Sequence, residues 1–145
     1  MSNCHKDMKG FTTILFFLLT FGAIGKTIIV DQRGKIQSLK TAVQLAQRGD
    51  TIIIKPGTYR DGNIVIEKSL VIQGESYPVL DGENKFEILT IHANNVQVRG
   101  FFFKDTGIAS IEDLAAIKVL ESKGLRITSN KFRFKCRYFN RSRWE

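Results

Sequence analysis

Short apolar bursts at close spacing, a recurring strand pattern and one early amphipathic helix predict an all-β fold. The fold they suit is a right-handed parallel β-helix, a solenoid with a short N-terminal capping helix. The first observation is "GDTIIIKPGTYRDGNIVIEKSLVIQGE", Gly49 to Glu75. It holds three β-branched bursts, Thr51 to Ile54, Ile64 to Ile66 and Leu70 to Ile72, all shorter than the usual strand of about 5–6 residues. The second is a pattern shared by "KSLVIQGE" (Lys68 to Glu75), "NNVQVRGFFF" (Asn94 to Phe103) and "KGLRITSNKF" (Lys123 to Phe132). In each, apolar residues alternate, as Leu70 and Ile72, Val96 and Val98, Leu125 and Ile127, and a Gly or Asn follows closely. Alternation turns one side chain inward and the next outward. From Ile72 to Val98 to Ile127 the repeats are 26 and 29 residues, in the range of solenoid repeats.

The elements follow in order. Lys6 and Lys9 precede the apolar run Phe11 to Ile24, and Ala23 and Gly25 are small. Residues 1–25 thus read as a secretory signal peptide cut before Lys26. The run is short against the ~20 residues a membrane span needs; an uncleaved anchor and a buried helix are the rival readings. Residues 26–50 form an N-terminal strand, Ile28 to Val30, and a capping helix. Ser38 can accept an unpaired backbone N–H of the first turn. Leu39, Ala42, Val43 and Ala46 keep helical spacing, and Gly49 is placed to end the helix in a left-handed conformation. A coil exposes its first apolar layer, so this amphipathic helix is the natural cover.

Residues 51–132 are expected to make about three rungs. Each strand is one side of a rung and hydrogen-bonds to its equivalents above and below, so strand length follows the width of the coil. Inward Ile72, Val98 and Ile127 should form one internal column. Corners are expected at Pro56-Gly57, Asp61-Gly62, Gly74, Asp81-Gly82, Asn94-Asn95 and Gly100, because Gly and Asn tolerate positive φ and Pro presets a turn. The rival fold is a β-sandwich, which does not require the repeated pattern. Residues 133–145 are a basic tail that breaks the rung pattern.

Charge and cysteine narrow the function. Of the net +8, residues 131–145 carry +5 and residues 26–130 only +2. A nearly neutral body argues against a nucleic-acid partner, which wants a basic face on the domain itself. After cleavage only Cys136 remains, so the mature chain has no internal disulfide and relies on packing.

The order of "GDTIIIKPGTY", "GNIVIEKSLVIQGE", "PVLDGE", "LTIHANNVQVRGFFF" and "AAIKVLESKGLRITSNKF" resembles the N-terminal part of pectin-lyase-like β-helix proteins. More closely, it is similar to the NosD group, accessory proteins for maturation of nitrous oxide reductase. The more specific stretch is Asp105 to Phe132, where a polar insertion precedes "SNKF". The resemblance covers about Ile28 to Phe132. It implies a periplasmic or secreted protein, copper as the metal concerned, and nitrous oxide reductase and an ATP-binding-cassette transporter as partners. Reduced copper prefers thiolate, thioether and imidazole ligands. The mature chain offers His92, Cys136 and no Met, so no metal site is expected and a scaffold or docking role fits better.

The alternative is a polysaccharide lyase, a glycosidase or a carbohydrate-binding β-helix protein. A lyase needs a base at the α-proton and a neutralised uronate; a hydrolase needs two carboxylates flanking the bond. Asp81, Glu83, Arg99, Lys104 and Asp105 are the candidates. Charges on a solenoid exterior are common, so no catalytic residue is assigned.

Overall fold

The computed structural model describes residues 25–107 and 115–133. The segment up to residue 24 that reads as a signal peptide in the sequence, part of the polar insertion and the tail with Cys136 lie outside the described residues. The chain runs β1 (Thr27–Val30), α1 (Leu39–Leu45), β2 (Thr51–Ile54), β3 (Thr58–Tyr59), β4 (Ile64–Ile66), β5 (Val71–Gly74) and β6 (Val79–Asp81). It continues with β7 (Leu89–Ile91), β8 (Gln97–Arg99), β9 (Phe102–Lys104), β10 (Ile117–Val119), β11 (Arg126–Thr128) and β12 (Lys131–Arg133). The strands stack as three parallel sheets, ordered β1-β2-β5-β8-β11, β12-β9-β6-β3 and β10-β7-β4. This is a parallel β-helix of about 4 turns. The strands β2 to β10 trace three three-sided turns, and β11 and β12 begin the next.

Register turns the repeat into a core. Ile28 pairs with Ile52, Ile52 with Ile72, Ile72 with Val98 and Val98 with Ile127. The first four are buried, while Ile127, on the last described turn, is 40% exposed. The second sheet builds the column Tyr59, Leu80, Phe103, Phe132. There the Phe103 and Phe132 rings stack with centroids 5.1 Å apart. The third sheet stacks Ile64, Leu89 and Ile117, then Ile66, Ile91 and Val119. Each fully buried Ile or Leu stabilises by ~1.5–3 kcal/mol, and the β-branched shape suits a pleated wall.

The helix is shorter than its sequence pattern. It ends at Leu45, with Ala46 in an extended conformation, so Gly49 does not terminate it. Gly49 instead turns the chain into β2 at φ 88. The cause is tertiary: Lys68 Nζ reaches back to the carbonyls of Ala46 (2.8 Å), Gln44 (3.1 Å) and Val43 (3.2 Å). The Asp50 carboxylate takes the Gln47 and Lys26 backbone N–H groups, both at 2.8 Å. Those two bonds, Gln47 first, hold the Asp50 carboxyl below its ordinary value. Ser38 caps the other end, accepting from the Thr41 N–H at 3.3 Å. Leu39, Ala42 and Val43 are buried, and α1 packs on β1, β2 and β4.

The corners also differ from a simple glycine rule. Gly62, Gly100 and Asn95 take positive φ, but so do Ser76, Tyr77, Glu83 and Asn84. Gly74 and Gly100 are stacked so closely that a Cβ on either would run into the other's carbonyl oxygen. Gly82 abuts the Asp105 and Phe86 carbonyls, and Gly57 abuts the Gln32 side chain. These glycines are needed for close approach of backbones or side chains, which a local turn rule does not foresee. Pro56 sits in the bend before β3.

Candidate functional site

The outward positions of β6 and β9 bring the sequence candidates together. Asp81 ends β6, Lys104 ends β9, and the register makes them direct neighbours. Lys104 Nζ lies 3.2 Å from Asp81 Oδ2 and 3.2 Å from Asp105 Oδ2. Arg60 Nε lies 3.4 Å from the same Asp81 oxygen, and the Glu83 backbone N–H donates to Asp81 Oδ1 at 3.0 Å. The Asp81 side chain is 6% exposed. Burial works to raise its pKa, but the Glu83 N–H and the Lys104 and Arg60 charges outweigh that, so the carboxyl stays below its ordinary value. The hydrogen bonds to Asp81 and then Asp105 push Lys104 above its ordinary value.

Chemically this is an interlock. A proton-abstracting lysine must be neutral at working pH, whereas Lys104 is held protonated. A general-acid carboxyl needs a raised pKa, whereas Asp81 is held ionised. Asp81 and Asp105 share one ammonium, so they do not flank an open space as a hydrolase pair does. Glu83 takes part through its backbone. Arg99 lies on a different sheet, where its Nη2 donates to Gln73 Oε1 at 2.6 Å. Arg60, which sequence reasoning missed, joins because it sits about one rung before Asp81. That offset was the only signal in the sequence.

His92 lies at the corner after β7, beside a groove of about 250 Å³ lined by Arg48, Glu67, Ser69, Asn94 and Glu121. Its Nε2 is 3.9 Å from Glu121 Oε2, with the two side chains 53% and 92% exposed. One imidazole beside a carboxylate is a poor donor set for reduced copper, which favours soft ligands. Among the described residues no three His, Cys, Asp or Glu side chains group to hold a metal. Cys136 lies outside the described residues.

The outer face of the third sheet is closed in the same manner as that of the second. The Asn63 amide donates to Thr90 Oγ1 at 2.9 Å, the Thr90 hydroxyl donates to Glu87 Oε2 at 3.3 Å, and Lys118 Nζ lies 3.2 Å from Glu87 Oε1. Stacked turns supply partners for one another, so polar groups on the wall satisfy themselves.

The fold and these pairings define the class: a parallel β-helix whose charged walls are cross-linked between rungs. No family model, no curated protein and no solved structure matches the chain. No described helix is long and apolar enough to cross a membrane.

Proposed function

We infer that the protein is a non-catalytic β-helix scaffold of the periplasm or extracellular space. In this reading it assists copper-centre assembly in nitrous oxide reductase by protein contact, alongside an ATP-binding-cassette transporter. The resemblance of Ile28 to Phe132 to NosD-type proteins motivates the pathway. The observation that supports the non-catalytic part is the Asp81–Lys104–Asp105 interlock, whose charges are engaged with one another and whose lysine is held protonated, the form that does not accept a proton. Copper handling through His92 is not part of the reading, because its neighbour is a carboxylate.

The test is a deletion strain. Reductase purified from it should be deficient in copper, and a copy of the gene should restore the loading. Fully copper-loaded reductase from the deletion strain would overturn the reading. Incubation with pectin or alginate provides the second arm: release of unsaturated uronides would return the protein to the lyases.

A further inference from the structure

Two cations on the last described strand stand apart from the interlock. Lys131 and Arg133 are alternate, exposed residues of β12, so they project to one face about 6.6 Å apart. Register sets Lys131 beside Phe102 and Arg133 beside Lys104. Lys104 is already taken by Asp81 and Asp105. Among the described residues neither β12 cation meets a carboxylate; each lies over an aromatic ring instead. Lys131 Nζ is 4.0 Å from the Tyr77 centroid, and the Arg133 guanidinium carbon is 5.7 Å from the Phe102 centroid. Both fall within the range of cation–π attraction, ~0.5–1 kcal/mol at exposed sites. Tyr77 is 39% exposed. It follows Ser76 in the left-handed region, at φ 58 and 54, a conformation that costs a non-glycine residue ~1–2 kcal/mol.

We propose that the face formed by Tyr77, Val79, Phe102, Lys131 and Arg133 docks an acidic segment of a protein partner, one that presents carboxylates and apolar side chains on the same face. The proposal rests on the protein-contact reading above and supplies its surface. Tyr, Phe and Arg are among the residues enriched at protein interfaces, and here they are mixed within three successive rungs. Charge complementarity asks for carboxylates opposite Lys131 and Arg133. An extended segment repeats its side chains every second residue, the same spacing as these two cations. A uniformly charged polymer fits less well. On the preceding turns Lys104 and Arg60 are matched by Asp81 and Asp105, so such a polymer gains only over β12, while a mixed segment also covers Val79 and the two rings.

The test uses the full chain and a random copolymer of glutamate and tyrosine, compared with poly-glutamate, polygalacturonate, single-stranded DNA and anionic phosphatidylglycerol vesicles at one ionic strength. The copolymer should bind tightest, about tenfold over poly-glutamate, which is ~1.4 kcal/mol. Lys131→Glu with Arg133→Glu should weaken copolymer binding at least about tenfold. Lys35→Glu with Lys40→Glu, the same charge change at exposed positions near the capping helix, should change it less than about twofold. If the reversed pair fails to fold by circular dichroism, Lys131→Gln with Arg133→Gln takes its place. Equal losses in the two double variants would overturn the proposal, since bulk charge would then explain binding. Tighter binding to polygalacturonate, DNA or vesicles than to the copolymer would overturn it too. The assay contains no reductase, so fully copper-loaded reductase in the deletion strain would remove the maturation reading and leave this face in place.

Discussion

Asp61 and Lys68, on either side of β4, hold opposite ends of helix α1. The Asp61 carboxylate accepts from the Leu39 N–H at 2.7 Å and the Lys40 N–H at 3.3 Å. The Lys68 ammonium donates to three carbonyls at the other end. Each charge has the sign that the helix dipole favours. The helix has only seven residues, too few to persist alone in water, so the first complete rung holds its own cover.

Removing either contact should therefore loosen the cap. Lys68→Met is expected to cost about 1.5–3 kcal/mol, the range for hydrogen bonds to a charged group. Asp61→Ala should cost ~1 kcal/mol, by analogy with helix-cap losses. Urea unfolding of the single and double variants checks this. Because both contacts act on one short element, the double variant should lose less than the sum of the singles.

The charged groups set a pH window. The Asp81 and Asp50 carboxyls are held below their ordinary value in the folded chain. Their contribution is complete above the ordinary Asp value of about 3.9 and lost as pH falls through the folded values. Lys104 and Tyr59 are raised, Lys104 by its bonds to Asp81 and Asp105 and Tyr59 by burial. Their contribution is complete below about pH 10 and lost as pH climbs towards the folded values. Thermal unfolding against pH should show a plateau between these limbs. Asp81→Asn should flatten the acid limb, and an unchanged limb would count against the interlock.

The stacked column is tested by position. Ile72, fully buried between Ile52 and Val98, should lose about 2–5 kcal/mol on substitution to Ala. Ile127→Ala, in the same column but 40% exposed, should lose less than half as much. Equal losses in urea titrations would mean that burial along the axis is not what distinguishes them.

A corner pair isolates backbone strain. Gly100 sits at φ 77 against Gly74, and Ser129, the residue one turn later, holds φ 54 with a side chain. Gly100→Ala should destabilise by about 1–3 kcal/mol through the left-handed backbone and the Gly74 carbonyl. Ser129→Gly should be neutral or stabilise by up to ~1 kcal/mol. Differential scanning calorimetry reads both shifts.

Much of the architecture was written locally. The alternation in Leu70 and Ile72, Val96 and Val98 marked inward positions because a strand's side-chain period is two. Ser38 marked a helix start because its hydroxyl matches an unpaired amide. The helix end is not legible locally: Gly49 satisfies a local rule, yet the helix stops at Leu45, where Lys68 holds the last carbonyls from further along the chain.

The one-dimensional pattern of Ile, Val and Leu was enough to specify a coil, because burying that pattern requires neighbours of the same kind stacked along an axis. It also held the candidate charges Asp81, Lys104 and Asp105. Which charge meets which was decided by register: Arg60 on Asp81, Lys131 on Tyr77, Asp61 and Lys68 on the helix. Those partners are a turn or more apart in sequence. Their distance depends on the backbone taken up at each corner, where residues such as Ser76 and Glu83 adopt conformations that only packing imposes.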